Sequence, residues 1–170
     1  KFLLIDILVQ QGKHDLAMKE IEDSVIAFGI DDGILSAANK VRNLLDPMKI
    51  ENSSGNKGSI SLCMIVKNEE QCLAKCLRSV KPISDEMIVV DTGSIDKTKD
   101  IAKAFGAKVF DFEWTNDFSE ARNFSISKAS LDWILVMDAD EVIASIDYHS
   151  LRKIVTRSTS KPSAYTFVTR

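Results

Sequence analysis

Asp138 and Asp140 stand two apart, directly after the apolar run Trp133–Met137. In an extended chain, residues i and i+2 project to the same side, so this spacing puts two carboxylates side by side. Without a cation they repel one another, and one of them is driven toward its protonated form. A hard divalent ion removes that penalty. Mg²⁺ or Mn²⁺ takes one or two carboxylates and completes its shell with phosphate oxygens and water. The pair therefore points to a metal-bound diphosphate. A D-x-D on an ordinary surface turn is more often a helix cap; following a buried strand, the metal reading ranks first.

Asp91 follows a second apolar run, Met87–Val90, and can accept a hydrogen bond from a base edge or a ribose hydroxyl. Thr92-Gly93-Ser94 adds a tight polar turn in which Gly93 allows close backbone approach. Ser94 or Asp96 also suits the cap of the following helix. After the first apolar run, Ser61–Val66, come Lys67, Asn68 and Glu69. Neither G-x-G-x-x-G nor G-x-x-x-x-G-K-[ST] occurs, so the main sequence support for dinucleotide or P-loop binding is absent. A metal must then hold the phosphates, assisted by Arg122 or Lys67.

Such residues need a scaffold. Short apolar runs alternate with helical stretches: strands at 61–66, 87–90, 108–110, 133–137 and 165–168, and helices at 70–80, 96–105, 120–129 and 148–155. This pattern predicts an α/β fold with a mostly parallel sheet covered on both faces. Ligands bind such sheets beyond the carboxyl ends of the strands. The three polar clusters all fall there, and their convergence does not depend on one motif.

The first 49 residues read as helical. Leu16, Ala17, Ile21, Val25 and Phe28 recur at helical spacing, Gly12 and Gly29 close helices, and Asp32 is the expected cap of a third. The stretch resembles a tetratricopeptide-type hairpin and is expected to dock a protein partner or act as a scaffold. Residues 50–58 (IENSSGNKG) read as a linker, leaving 59–170 as the α/β part. A chain opening on Lys1 and closing on Arg170 is expected to be a piece of a longer polypeptide.

Composition narrows the classes. The chain has 170 residues, 45% hydrophobic and 28% charged, with net charge −3, which suits a globular domain and disfavours nucleic acid as main partner. No apolar run reaches the roughly 18 residues of a membrane span. Cys63, Cys72 and Cys76 lie far in sequence from His14 and His149, so they read as buried hydrophobes in a reducing, cytoplasmic setting rather than as metal ligands.

In order, the strings SLCMIVKNEEQCLAKCLRSV, DEMIVVDTGSIDKT, FEWTNDFSEARNFSISKAS and DWILVMDADE resemble the family 2 glycosyltransferases of GT-A (Rossmann-like) fold. The branch fused to tetratricopeptide-like helices fits the helical start. The resemblance implies a nucleotide-sugar donor, commonly a UDP sugar. Val66, Asn68 and Glu69 would line the nucleotide pocket. Asp91 would contact uracil, with Gly93 and Ser94 shaping its loop, and Arg122 would sit near the base or diphosphate. Asp138 would bind on the ribose side, and Asp140 would coordinate Mg²⁺ or Mn²⁺. The family inverts the anomeric carbon by direct displacement, using an Asp or Glu of the later half as base. That base is expected beyond Arg170, and Glu141 is not assigned the role. The acceptor (glycan, lipid-linked or protein) is not readable. Ile95 and Lys97 stand where the family often has Thr and Gly. Rival readings are a nucleotidyltransferase, disfavoured by the absence of a Gly-rich first loop, and a non-catalytic nucleotide-binding or protein-docking module.

Overall fold

The structure is a computed structural model and describes residues 2–45, 58–156 and 162–166. Three helices come first: α1 (Phe2–Gln10), α2 (His14–Phe28) and α3 (Asp32–Leu44). The cap of α3 is Asp31, not Asp32. Its backbone is extended, and its side chain accepts from the N–H of Ile34 at 2.7 Å.

The rest alternates strand and helix: β1 (Ile60–Val66), α4 (Leu73–Val80), β2 (Glu86–Asp91), α5 (Thr98–Ala104), β3 (Lys108–Asp111), α6 (Phe118–Ser127) and β4 (Trp133–Val136). A 3-10 turn at Ser145–Asp147 leads into α7 (Tyr148–Thr156). The strands form one sheet in the order β3-β2-β1-β4, every pair parallel. The expected α/β class and flanking helices are thus observed.

Some boundaries differ from expectation. α4 begins at Leu73 rather than Glu70, because the N–H groups of Cys72 and Leu73 both turn back onto the Glu69 carbonyl. Cys72 therefore precedes the helix and is half-buried, while Cys63 and Cys76 are buried; all three are free thiols. Of the strand expected at 165–168, Tyr165 and Thr166 are not in a strand, and the remainder lies outside the described residues. So does the expected linker at 50–58, apart from Gly58.

The sheet separates two cores. On one face Leu62, Met64, Val66, Met87 and Val89 meet α4 and α5, behind which α2 and α3 pack in a further layer. On the other face Cys63, Ile88 and Val90 meet Phe110, Phe112 and Phe124, so α6 covers this side. The outer helices are tied on by polar contacts. Glu22 of α2 is buried and receives Arg78 at 2.5 Å and Lys81. Arg42 of α3 donates to the carbonyl of Ala104 at 2.6 Å. At the amino ends of the strands, Glu86 joins Ser61, Lys108 and Ser130. Burial alone would raise its pKa, but those hydrogen bonds prevail and hold it at about 2.

Candidate donor-binding rim

β1 runs apolar to Val66, which is buried, and the chain then turns sharply. Asn68 takes a left-handed backbone (φ 57°), a conformation Asn tolerates better than most residues. It locks the first loop to the second: its N–H donates to Ser94 Oγ at 2.8 Å, and its Oδ1 accepts from the N–H of Ile95 at 2.9 Å. The N–H of Glu69 donates to Thr98 Oγ1 at 2.7 Å, and that of Glu70 to Asp96 at 3.2 Å. Side chains thus satisfy backbone groups that neither strand nor helix could use.

Asp91 ends β2 and is 1% exposed. Its Oδ1 accepts from the N–H groups of Gly93 and Ser94 at 3.0 and 2.9 Å, shaping the turn. Its Oδ2 is buried without a hydrogen-bond partner. Gly93 has φ 101°, and open space lies where its side chain would be. Neither expected cap holds the N-cap position of α5, which Lys97 takes without a side-chain bond; Asp96, one residue earlier, accepts from the N–H of Thr98 at 3.0 Å, and Ser94 Oγ accepts from Asn68.

After β4 the chain passes into a turn at Ala139 and Asp140. Met137 and Ala139 are buried while Asp138 and Asp140 are exposed, the alternation that puts both aspartates on the solvent side. The segment then closes on itself: Glu141 donates its N–H to the Asp138 carbonyl and accepts the Asp138 N–H at 3.0 Å. Glu141 is thereby committed to holding the turn.

Asp117 caps α6, accepting from Ser119 at 2.7 Å. One turn on, Arg122 is not a solvated helix arginine. Its Nη2 lies 3.2 Å from Asp138 Oδ1, and its Nη1 is buried without a partner.

The rim is electrically acidic. The Glu69 carboxyl is pushed upward by burial and then by Asp140, Asp96 and Asp138. The Cys76 thiol, buried beneath them, is raised to about 12, first by burial and then by Glu141, Asp140 and Asp138. Among the described residues no three His, Cys, Asp or Glu side chains group closely enough to hold an ion alone. The donor set still fits a hard cation, since Mg²⁺ or Mn²⁺ seldom uses an all-protein cage and shares a carboxylate pair with phosphate and water.

All of these residues lie in one continuous stretch, and the family model described as "Glycosyl transferase family 2" matches residues 61–161. The chain belongs to glycosyl transferase family 2. It is similar to a TPR repeat-containing protein of Synechococcus elongatus, 52% identical over 55% of this chain and 23% of that protein. It is similar also to the SPbeta prophage-derived glycosyltransferase SunS of Bacillus subtilis, 40% identical over 56% of this chain and 23% of that one. The chain spans about a quarter of the length of these relatives. Among solved structures it is similar to glucosyl-3-phosphoglycerate synthase from Mycobacterium tuberculosis, crystallised with Mn²⁺, UDP and glucosyl-3-phosphoglycerate. That match has a TM-score of 0.42 and 27% identity, over 53% of this chain and 36% of the other.

In this family 2 chain, the structure brings Val66, Asn68, Glu69, Asp91, Gly93, Ser94, Asp138 and Asp140 to the carboxyl ends of β1, β2 and β4, with Arg122 reaching in from α6. Sequence reasoning missed Thr98, which is fully buried and bonds both Glu69 and Asp96. The Asp-x-Thr spacing before a helix was its available signal. It missed equally the support from α4, where the partners lie some sixty residues from those they hold. No helix among the described residues is long and apolar enough to cross a membrane.

Proposed function

We propose that this chain is the donor-binding part of a metal-dependent, inverting glycosyltransferase that uses a UDP sugar. The observation that carries the reading is the acidic rim: Asp138 and Asp140 lie exposed where the chain turns after β4, with buried Met137 and Ala139 alternating between them, and both act with Asp96 on the Glu69 carboxyl. Four carboxylates with Arg122 as the cation bonded to Asp138 make a place where a divalent ion relieves repulsion. Family membership supports the class of reaction.

Asp140 would hold the cation, and Asp138 would face both the ribose and the cation. Bound there, the cation would neutralise charge developing on the departing diphosphate. Arg122 would orient the diphosphate through the guanidinium face that has no partner. Asp91 would read the base, its free Oδ2 accepting from the imide N–H of uracil. Val66, Asn68 and Glu69 would form the opposite wall, with Gly93 and Ser94 shaping the base loop. The N-terminal helices (1–49), a linker (50–58) and the donor part (59–170) would be the units of the chain.

The test is thermal. UDP should raise the melting temperature only with Mn²⁺ or Mg²⁺ present, and Asp140→Ala should abolish the shift. Absence of a metal-dependent shift with any nucleotide overturns the reading.

A further inference from the structure

Among the described residues the acidic segment after β4 has no sheet partner beyond Val136, and residues 137–147 run through a turn. Bonds from α4 hold it, joined by one from Tyr148. On α4, Cys76 and Ser79 lie three apart and so share a face. Cys76 Sγ lies 3.5 Å from the Asp138 carbonyl. Ser79 Oγ donates to the Cys76 carbonyl at 2.7 Å and accepts the N–H of Ile143 at 3.0 Å. The hydroxyl of Tyr148 then donates to the Ser79 carbonyl at 2.6 Å. Ser79 thus bonds the aspartate segment through its hydroxyl and the first residue of α7 through its carbonyl.

Both supports are themselves anchored. α7, which begins at Tyr148, is pinned by Arg152, whose guanidinium meets both carboxylate oxygens of Asp85 at 3.0 and 3.2 Å. α4 is pinned by Arg78 and Lys81 on the buried Glu22. The segment is therefore strung between two fixed helices, with Ser79 as the knot.

We propose that Ser79 and Tyr148 are positioning residues that hold Asp138 and Asp140 in register for the cation-bound diphosphate. The inference rests on the donor reading above, since it concerns how that rim is held. Neither residue touches the ligand. Ser79 Oγ fixes the backbone of the aspartate segment at Ile143, and the Tyr148 hydroxyl ties the end of that segment to α4 through the Ser79 carbonyl; a site misplaced by a fraction of an ångström loses metal affinity before it loses fold.

The test compares Ser79→Ala, Tyr148→Phe and the conservative Ser79→Thr with the unaltered chain. Two readouts are used: amide hydrogen exchange of residues 138–143 without ligand, and Mn²⁺ affinity in the presence of UDP, by electron paramagnetic resonance titration. Tyr148→Phe and Ser79→Ala should speed exchange and weaken Mn²⁺ about five- to tenfold, a buried hydrogen bond's worth. Ser79→Thr should restore Mn²⁺ affinity. Unchanged exchange, or faster exchange with unchanged Mn²⁺ affinity, overturns the positioning role while leaving the donor reading intact. Failure of the unaltered chain to bind Mn²⁺ with UDP overturns both.

Discussion

Glu22 of α2 and Arg78 of α4 meet at 2.5 Å across the boundary between the N-terminal helices and the α/β layer, with the glutamate 1% exposed and Lys81 on its other oxygen. A carboxylate that deep is tolerable only with its cations in place. Replacing both Arg78 and Lys81 by Ala should cost about 3 kcal/mol. Glu22→Gln should cost less, because an amide needs no counter-charge and Arg78 keeps Asp23 at 3.2 Å. Denaturant unfolding of the two variants checks the order.

Glu86 predicts a pH dependence. Its folded pKa of about 2 is depressed below the ordinary glutamate value of about 4.3. A depressed carboxylate contributes stability above its unfolded pKa and loses it as pH falls through the folded value. The window is therefore about pH 4.3 down to about 2, and the contribution above it is on the order of 3 kcal/mol. Glu86→Gln should be less stable than the unaltered chain at pH 6, with the gap closing toward pH 2. A gap that stays constant with pH refutes the assignment.

Asp91→Asn separates the base from the metal. Asparagine keeps the oxygen that caps Gly93 and Ser94 but turns the unpartnered acceptor into a donor. The melting temperature should barely move, while UDP affinity should fall by about tenfold or more. Mn²⁺ affinity measured at saturating UDP should not change. Calorimetric titration of both ligands decides.

Gly106 ends α5 with φ 87°, and a Cβ there would collide with the Arg42 guanidinium. Gly106→Ala should therefore cost about 1–2 kcal/mol of backbone strain and, in addition, displace the Arg42 bond to Ala104. Arg42→Ala combined with Gly106→Ala should be less damaging than the sum of the two, and a double-mutant cycle measures this.

The elements that set the site were legible because their signals are local. Continuous apolar runs at 61–66, 87–90 and 133–137 mark buried parallel strands, and polar residues at their ends mark the rim. Asp138 and Asp140 were found by spacing alone, as an alternation that survives one turn past β4. Asp31 was missed in favour of Asp32 because two adjacent aspartates both suit a cap, and only backbone geometry separates them. The start of α4 was missed because residues 70–72 carry good helix formers whose first N–H groups are spent on the neighbouring loop. Ser79 and Tyr148 left no trace because their partners are distant in sequence. A hydroxyl on an amphipathic helix announces nothing until the chain has folded. Arg122 was named as a phosphate ligand, but its pairing with Asp138 follows from how α6 crosses the sheet.

The placement of α4 decides how freely the front of this chain can be exchanged. One face of that helix answers to the acidic segment and another to Glu22, so the first three helices are no detachable handle. A shortened version beginning after residue 57 would strip Arg78 and Lys81 of their shared counter-ion. Grafting an unrelated helical repeat in front would succeed only if it brought its own buried acid to the same spot.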